Sequence, residues 1–166
     1  MKWSIQFLGV VFSGVIAGSL GAADRHIDVS RIFDKAAAES VLGDTVKAPT
    51  PRNIEGKDGY YSKCNYYTAT PGKSLILRVY QAGSGFNPYK ELEQLIESSG
   101  AMRAIPGLGD KARMSSGPES GLPPGVIMLY VVKGNALLTV GLGGLDDEAV
   151  AQEKVKEVAQ KILAEL

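Results

Sequence analysis

The stretch Gly125-Val126-Ile127-Met128-Leu129-Tyr130-Val131-Val132-Lys133-Gly134-Asn135-Ala136-Leu137-Leu138-Thr139-Val140-Gly141-Leu142 decides the fold. It holds two β-forming runs, Gly125 to Val132 and Ala136 to Leu142, around the turn Lys133-Gly134-Asn135. The first run is apolar on both faces: Val126, Met128 and Val132 oppose Ile127, Leu129 and Val131. A strand apolar on both sides belongs in the middle of a sheet with both faces covered.

Downstream, Asp146-Asp147-Glu148 opens a helix. Ala151, Val155, Val158, Ala159, Ile162, Leu163 and Leu166 form its apolar stripe. Upstream, Ala104 to Pro124 is rich in Gly and Pro, with a short strand predicted at Lys111 to Ser115. Before that, Asn87 caps a helix with Pro88 at its first position and a stripe of Leu92, Leu95 and Ile96. Tyr60 to Ala69 and Ser74 to Gln81 alternate with period two around Pro71-Gly72, the pattern of an antiparallel hairpin. Tyr61, Lys63, Asn65 and Tyr67 share one face, and Tyr60, Ser62, Cys64 and Tyr66 the other. Asp44 to Gly59 reads as a loop. Asp28 to Gly43 reads as short helices, with Asp34 as a cap and Gly43 as a stop. No strand–helix–strand alternation is sustained, so the expected class is α+β: an antiparallel sheet of about four to five strands flanked by helices.

The length of 166 residues, 45% hydrophobic and 22% charged, suits one globular domain. Lys2, the uncharged run Phe7 to Leu20 and the small residues Gly21-Ala22-Ala23 have the layout of a secretory signal peptide. Residues 1–23 are therefore expected to be a leader, and 24–166 a single periplasmic or secreted α+β domain with no membrane span in its mature form. An uncleaved N-terminal anchor is the alternative. Charge is balanced at 18 basic and 18 acidic residues with no long run of one sign, which argues against nucleic-acid binding.

Catalytic signatures fail on context. Pro71-Gly72-Lys73-Ser74 ends like a phosphate-binding loop, but position 67 is Tyr and a strand follows. Gly107-Leu108-Gly109-Asp110-Lys111-Ala112 matches a dinucleotide-binding spacing without the preceding strand or the following long helix. At Gly141 to Gly144 the helix that follows begins with three acidic residues, which cap it and repel a phosphate. His26 is the only histidine, in a segment expected to be loose, and one His with one Cys cannot close a zinc shell. Cys64, the only cysteine, is expected to be a small buried apolar residue. No cofactor or metal is expected.

The tyrosines at positions 60, 61, 66 and 67, with Lys63, Arg78 and Tyr80 nearby, suggest a recognition surface. β-propensity and core filling account for the same residues and are the favoured reading of them.

Leu42-Gly43, Cys64-x-Tyr66 and above all Ile105-Pro106-Gly107-Leu108-Gly109-Asp110-Lys111-Ala112, followed by an apolar strand, a Gly turn and an amphipathic helix, carry a resemblance. The chain resembles small exported bacterial proteins and lipoproteins of unknown function with a PsbP-like α/β/α sandwich. It departs from them in lacking a lipid-anchor cysteine and a second cysteine to pair with Cys64. The resemblance implies a non-catalytic, protein-binding or assembly role.

The sequence therefore predicts an exported binding module with an envelope protein as partner. The surface comprises Tyr61, Lys63, Tyr67, Arg78 and Tyr80, beside a loop carrying Asp110, Lys111 and Arg113. The alternatives are a carrier of a small apolar ligand held between sheet and helix, and a hydrolytic enzyme using Asp110, Lys111 and Arg113 as an acid–base cluster. The oligomeric state stays open.

Overall fold

A computed structural model describes residues 26–69 and 71–166. The expected leader lies outside the described residues. The fold is α+β. In chain order it comprises α1 (Val29–Ile32), α2 (Lys35–Leu42), β1 (Arg52–Gly56), β2 (Gly59–Tyr67), β3 (Ser74–Ala82), α3 (Pro88–Ser98), β4 (Arg103–Ala104), β5 (Lys111–Ser116), β6 (Val126–Lys133), β7 (Ala136–Gly143) and α4 (Glu148–Leu163). All strands join one antiparallel sheet in the order β1-β2-β3-β7-β6-β5-β4. Two meanders, β1-β2-β3 and β4-β5-β6-β7, are thus sewn together where β3 pairs with β7.

The sheet has seven strands, not four or five. One addition is β1, in the segment expected to be a loop. All five of its residues are exposed, and it is held by backbone pairing and one side-chain bond, Ser62 Oγ donating to Asn53 Oδ1 at 2.7 Å, so no apolar alternation announces it. The other is β4, two residues long and exposed. The central strand also differs from expectation. Every residue of β7 is buried, whereas Val126, Met128 and Tyr130 of β6 are only half-buried. Neighbours rather than a helix cover the small residues of β7. A Cβ built on Gly141 would lie 2.7 Å from the Met128 sulfur and 3.4 Å from Ile76.

The two faces of the sheet are treated unequally. One is closed by α1, α2 and α4, which bury Leu75, Leu77, Val79, Leu129, Val140 and Ile162 in the main core. The caps behave as the residues dictate. Asp34 accepts from the Ala37 N–H, Asp147 from the Val150 N–H, and Gly43 ends α2 at φ 65°. The His26 segment is anchored rather than loose. The Ile27 N–H donates to Gln81 Oε1 at 2.6 Å, the Val29 N–H donates to Ser62 Oγ at 3.0 Å, and His26 stacks on Tyr60. Cys64 is fully buried on this face, as expected, and burial pushes its thiol pKa up. Among the described residues the opposite face carries only α3, which packs over β6 and β7 through Leu92 against Val132 and Leu137.

Candidate functional site

The face that α3 leaves partly open bears the candidate site. Register decides its content, because directly opposed residues in antiparallel strands share a face. One row runs across six strands: Arg52, Lys63, Arg78, Thr139, Tyr130 and Arg113. At roughly 4.8 Å between strands, the row spans about 24 Å. Four of its six members are cations. None of the four forms an ion pair among the described residues.

The adjoining row begins Ile54, Tyr61, Tyr80 and Leu137. Tyr80 sits 6.1 Å from the Tyr61 ring and 4.0 Å from Phe86, which precedes α3. Burial raises the pKa of Tyr80, with a smaller contribution from the Asp58 carboxylate. Tyr67 lies at the near end of β2, 49% exposed, and its hydroxyl accepts from Asn65 Nδ2 at 3.0 Å.

Between α3 and the sheet lies a cavity of about 270 Å³. Tyr61, Tyr80, Phe86, Leu95 and Leu137 supply apolar wall, and Arg78, Thr139, Tyr130 and Glu91 supply polar groups. Arg78 Nε is buried and has no hydrogen-bond partner among the described residues. Burial raises the Tyr130 pKa, opposed by the positive charge of Arg78. A second hollow of about 270 Å³ lies at the β1–β2 edge, lined by Arg52, Lys63, Asn65 and Tyr67 among others.

The residues singled out from the sequence thus fall into two groups. Tyr61, Lys63, Tyr67, Arg78 and Tyr80 share the half-open face, and Arg113 joins them through the row. Asp110 and Lys111 instead hold α3 to the sheet. Asp110 Oδ2 accepts from the Tyr89 hydroxyl at 2.9 Å and from the Gly134 N–H at 2.7 Å, and Lys111 pairs with Glu93. The Gly134 N–H foremost, and then the Tyr89 hydroxyl, hold the Asp110 carboxyl below its ordinary pKa. Arg113 Nη1 turns to the Ala112 carbonyl at 3.1 Å. Among the described residues Asp110 forms no ion pair with Lys111 or Arg113, and each of the three has a different partner. Arg52, Thr139 and Tyr130 were missed from the sequence. Arg52 fell in a supposed loop, and the other two enter the site only through strand register.

Among the described residues no group of three or more His, Cys, Asp or Glu stands close enough to hold a metal, and no helix is long and apolar enough to cross a membrane. Comparison with models of known protein families and with curated proteins finds no match to this chain.

Proposed function

We propose that the mature domain is an exported, non-catalytic binding or assembly module of the periplasm or cell exterior, with a PsbP-like sandwich fold. It takes an acidic segment of an envelope protein across its half-open sheet face. The row Arg52, Lys63, Arg78 and Arg113 carries this reading: four cations without ion-pair partners among the described residues, in a chain of zero net charge. A carboxylate-bearing segment would neutralise that row, and Tyr61, Tyr67 and Tyr80 would supply the rigid aromatic contacts favoured at interfaces. The edge hollow beside Lys63 and Tyr67 continues the surface to β1.

A photo-crosslinking amino acid at Tyr67 and, as control, at the exposed Glu157 on α4 tests it. In the native envelope, Tyr67 is expected to capture a partner through an acidic peptide, with the yield falling as salt rises and disappearing in an Arg52→Glu/Lys63→Glu chain. Equal capture from Glu157, or capture indifferent to the double substitution, would overturn the reading.

The cavity under α3 favours a second reading, a carrier of a small apolar ligand. A native mass spectrum of the freshly purified protein is expected to show an adduct that vanishes on denaturation. Only the bare chain mass would count against it.

A further inference from the structure

The cavity under α3 is not uniformly apolar, and its polar groups select among ligands. We propose that it takes a small monocarboxylic acid with an apolar body, the carboxylate seated on Arg78; this rests on the carrier reading above. Three observations carry it. First, Arg78 is the only cation among the residues lining the cavity. Guanidinium and carboxylate match as a planar two-bond fork, which a neutral ligand oxygen does not reproduce.

Second, Thr139 stands directly opposite Arg78 on β7, and Tyr130 opposite Thr139 on β6. A carboxylate on Arg78 therefore has two further hydroxyl donors along the same row. Third, the rest of the wall is apolar and aromatic: Tyr61, Tyr80, Phe86 and Leu95 offer ring and branched surface to a hydrocarbon body. Glu91, the one acid among the lining residues, repels a second negative charge, so the site discriminates against dicarboxylates. Arg78, Tyr61 and Tyr80 belong to both the cavity and the proposed docking face, whereas Arg52 and Lys63 do not line the cavity and so report anion binding at the β1–β2 edge alone.

The probes are 3-phenylpropionate and 3-phenyl-1-propanol, the neutral alcohol of the same carbon skeleton, titrated into the purified chain by calorimetry and by ¹⁵N NMR. The acid is expected to bind about tenfold or more tightly than the alcohol, the discrimination of one charge-assisted fork. It is also expected to shift the Arg78 Nε–H resonance. Arg78→Gln is expected to lower acid affinity to the level of the alcohol. The NMR shift on the wild-type chain reports independently of whether that variant folds. Equal affinity for acid and alcohol would overturn the acid inference while leaving an apolar carrier. Binding of neither would sink both. Shifts confined to Arg52 and Lys63 would place the anion outside the cavity and overturn it as well.

Discussion

Replacing Tyr66 by Phe removes one oxygen from the closed side of the molecule and nothing else. The Tyr66 ring is fully buried, edge-on to Phe33 at 6.4 Å and 65°. Its hydroxyl donates to the carbonyl of Phe33, the residue that ends α1. Phe keeps the ring in place, so no cavity of consequence opens and the packing contribution cancels. What remains is a buried carbonyl deprived of its donor. That costs roughly 1–3 kcal/mol, more than the net worth of an average hydrogen bond, because the orphaned group stays out of water. Urea denaturation followed by far-UV circular dichroism reads the difference. The midpoint should fall with the slope unchanged, since the area exposed on unfolding is the same. Tyr67→Phe is the matched control, because that hydroxyl is on the open face and accepts from Asn65 at the surface; its effect should lie within about 0.5 kcal/mol. A Tyr66→Phe chain as stable as the wild type would refute the claim that this bond ties α1 to the sheet.

Cys64, buried and with its thiol pKa raised by desolvation, should react with a thiol reagent only as fast as the chain unfolds; prompt labelling in native buffer would show the closed face to be open. Glu93 and Asp110 are both held below their ordinary values of 4.5 and 3.8, Glu93 chiefly by its hydrogen bond to Lys111 and Asp110 chiefly by the Gly134 N–H. A depressed carboxyl stabilises the fold above its unfolded pKa, and the contribution fades as pH falls through the folded value. Hydrogen exchange should therefore show α3 loosening below about pH 4 before the rest of the chain, and Asp110→Asn should loosen it already at pH 7. Lys63→Thr removes a cation flanked by Arg52 and Arg78, so the stability of the wild type should rise more steeply with added salt than that of the variant; equal salt slopes would show that the row does not repel itself.

How far the fold could be read follows from where the physical information resides. Period-two alternation marked β2 and β3 and sorted their residues by face, but the register that opposes Lys63 to Arg78 and Tyr61 to Tyr80 is not the one a two-residue turn at Pro71-Gly72 gives, and it emerged only from the assembled sheet. Asn87, Asp34 and Asp147 marked helix starts because cap chemistry is local. β1 was invisible because Arg52-Asn53-Ile54-Glu55-Gly56 buries nothing; backbone pairing to β2 and the Ser62–Asn53 bond hold it, and neither leaves an apolar period in the sequence. The prominence of β6 was misleading for the opposite reason. Its long side chains read as a central strand, yet the strand they cover, β7, contains Thr139, Gly141 and Gly143 and lies deeper. The β3–β7 pairing that joins the two meanders links residues about sixty positions apart, and no local signal specifies it. The row of cations depends on that pairing, so it emerged only from the assembled sheet.

The contrast between the two faces bears on function more than either face alone. On the closed side each identified polar group has a use: Ser62, Gln81 and Tyr66 hold the chain from Ile27 to Phe33, and Lys154 reaches the Val41 carbonyl at 2.5 Å. On the open side Arg52, Lys63 and Arg78 stand directly opposed on three successive strands, an arrangement that costs a few tenths of a kcal/mol per pair in the free protein. Stability by itself would favour Thr or Val at these positions, which suit a half-buried strand and repel nothing. On the proposed reading, negative charge arriving from outside would offset that repulsion. The same substitutions that relieve the free sheet should therefore weaken whatever it binds, which makes the sign of that trade-off the sharpest separation between a recognition face and a merely solvated one.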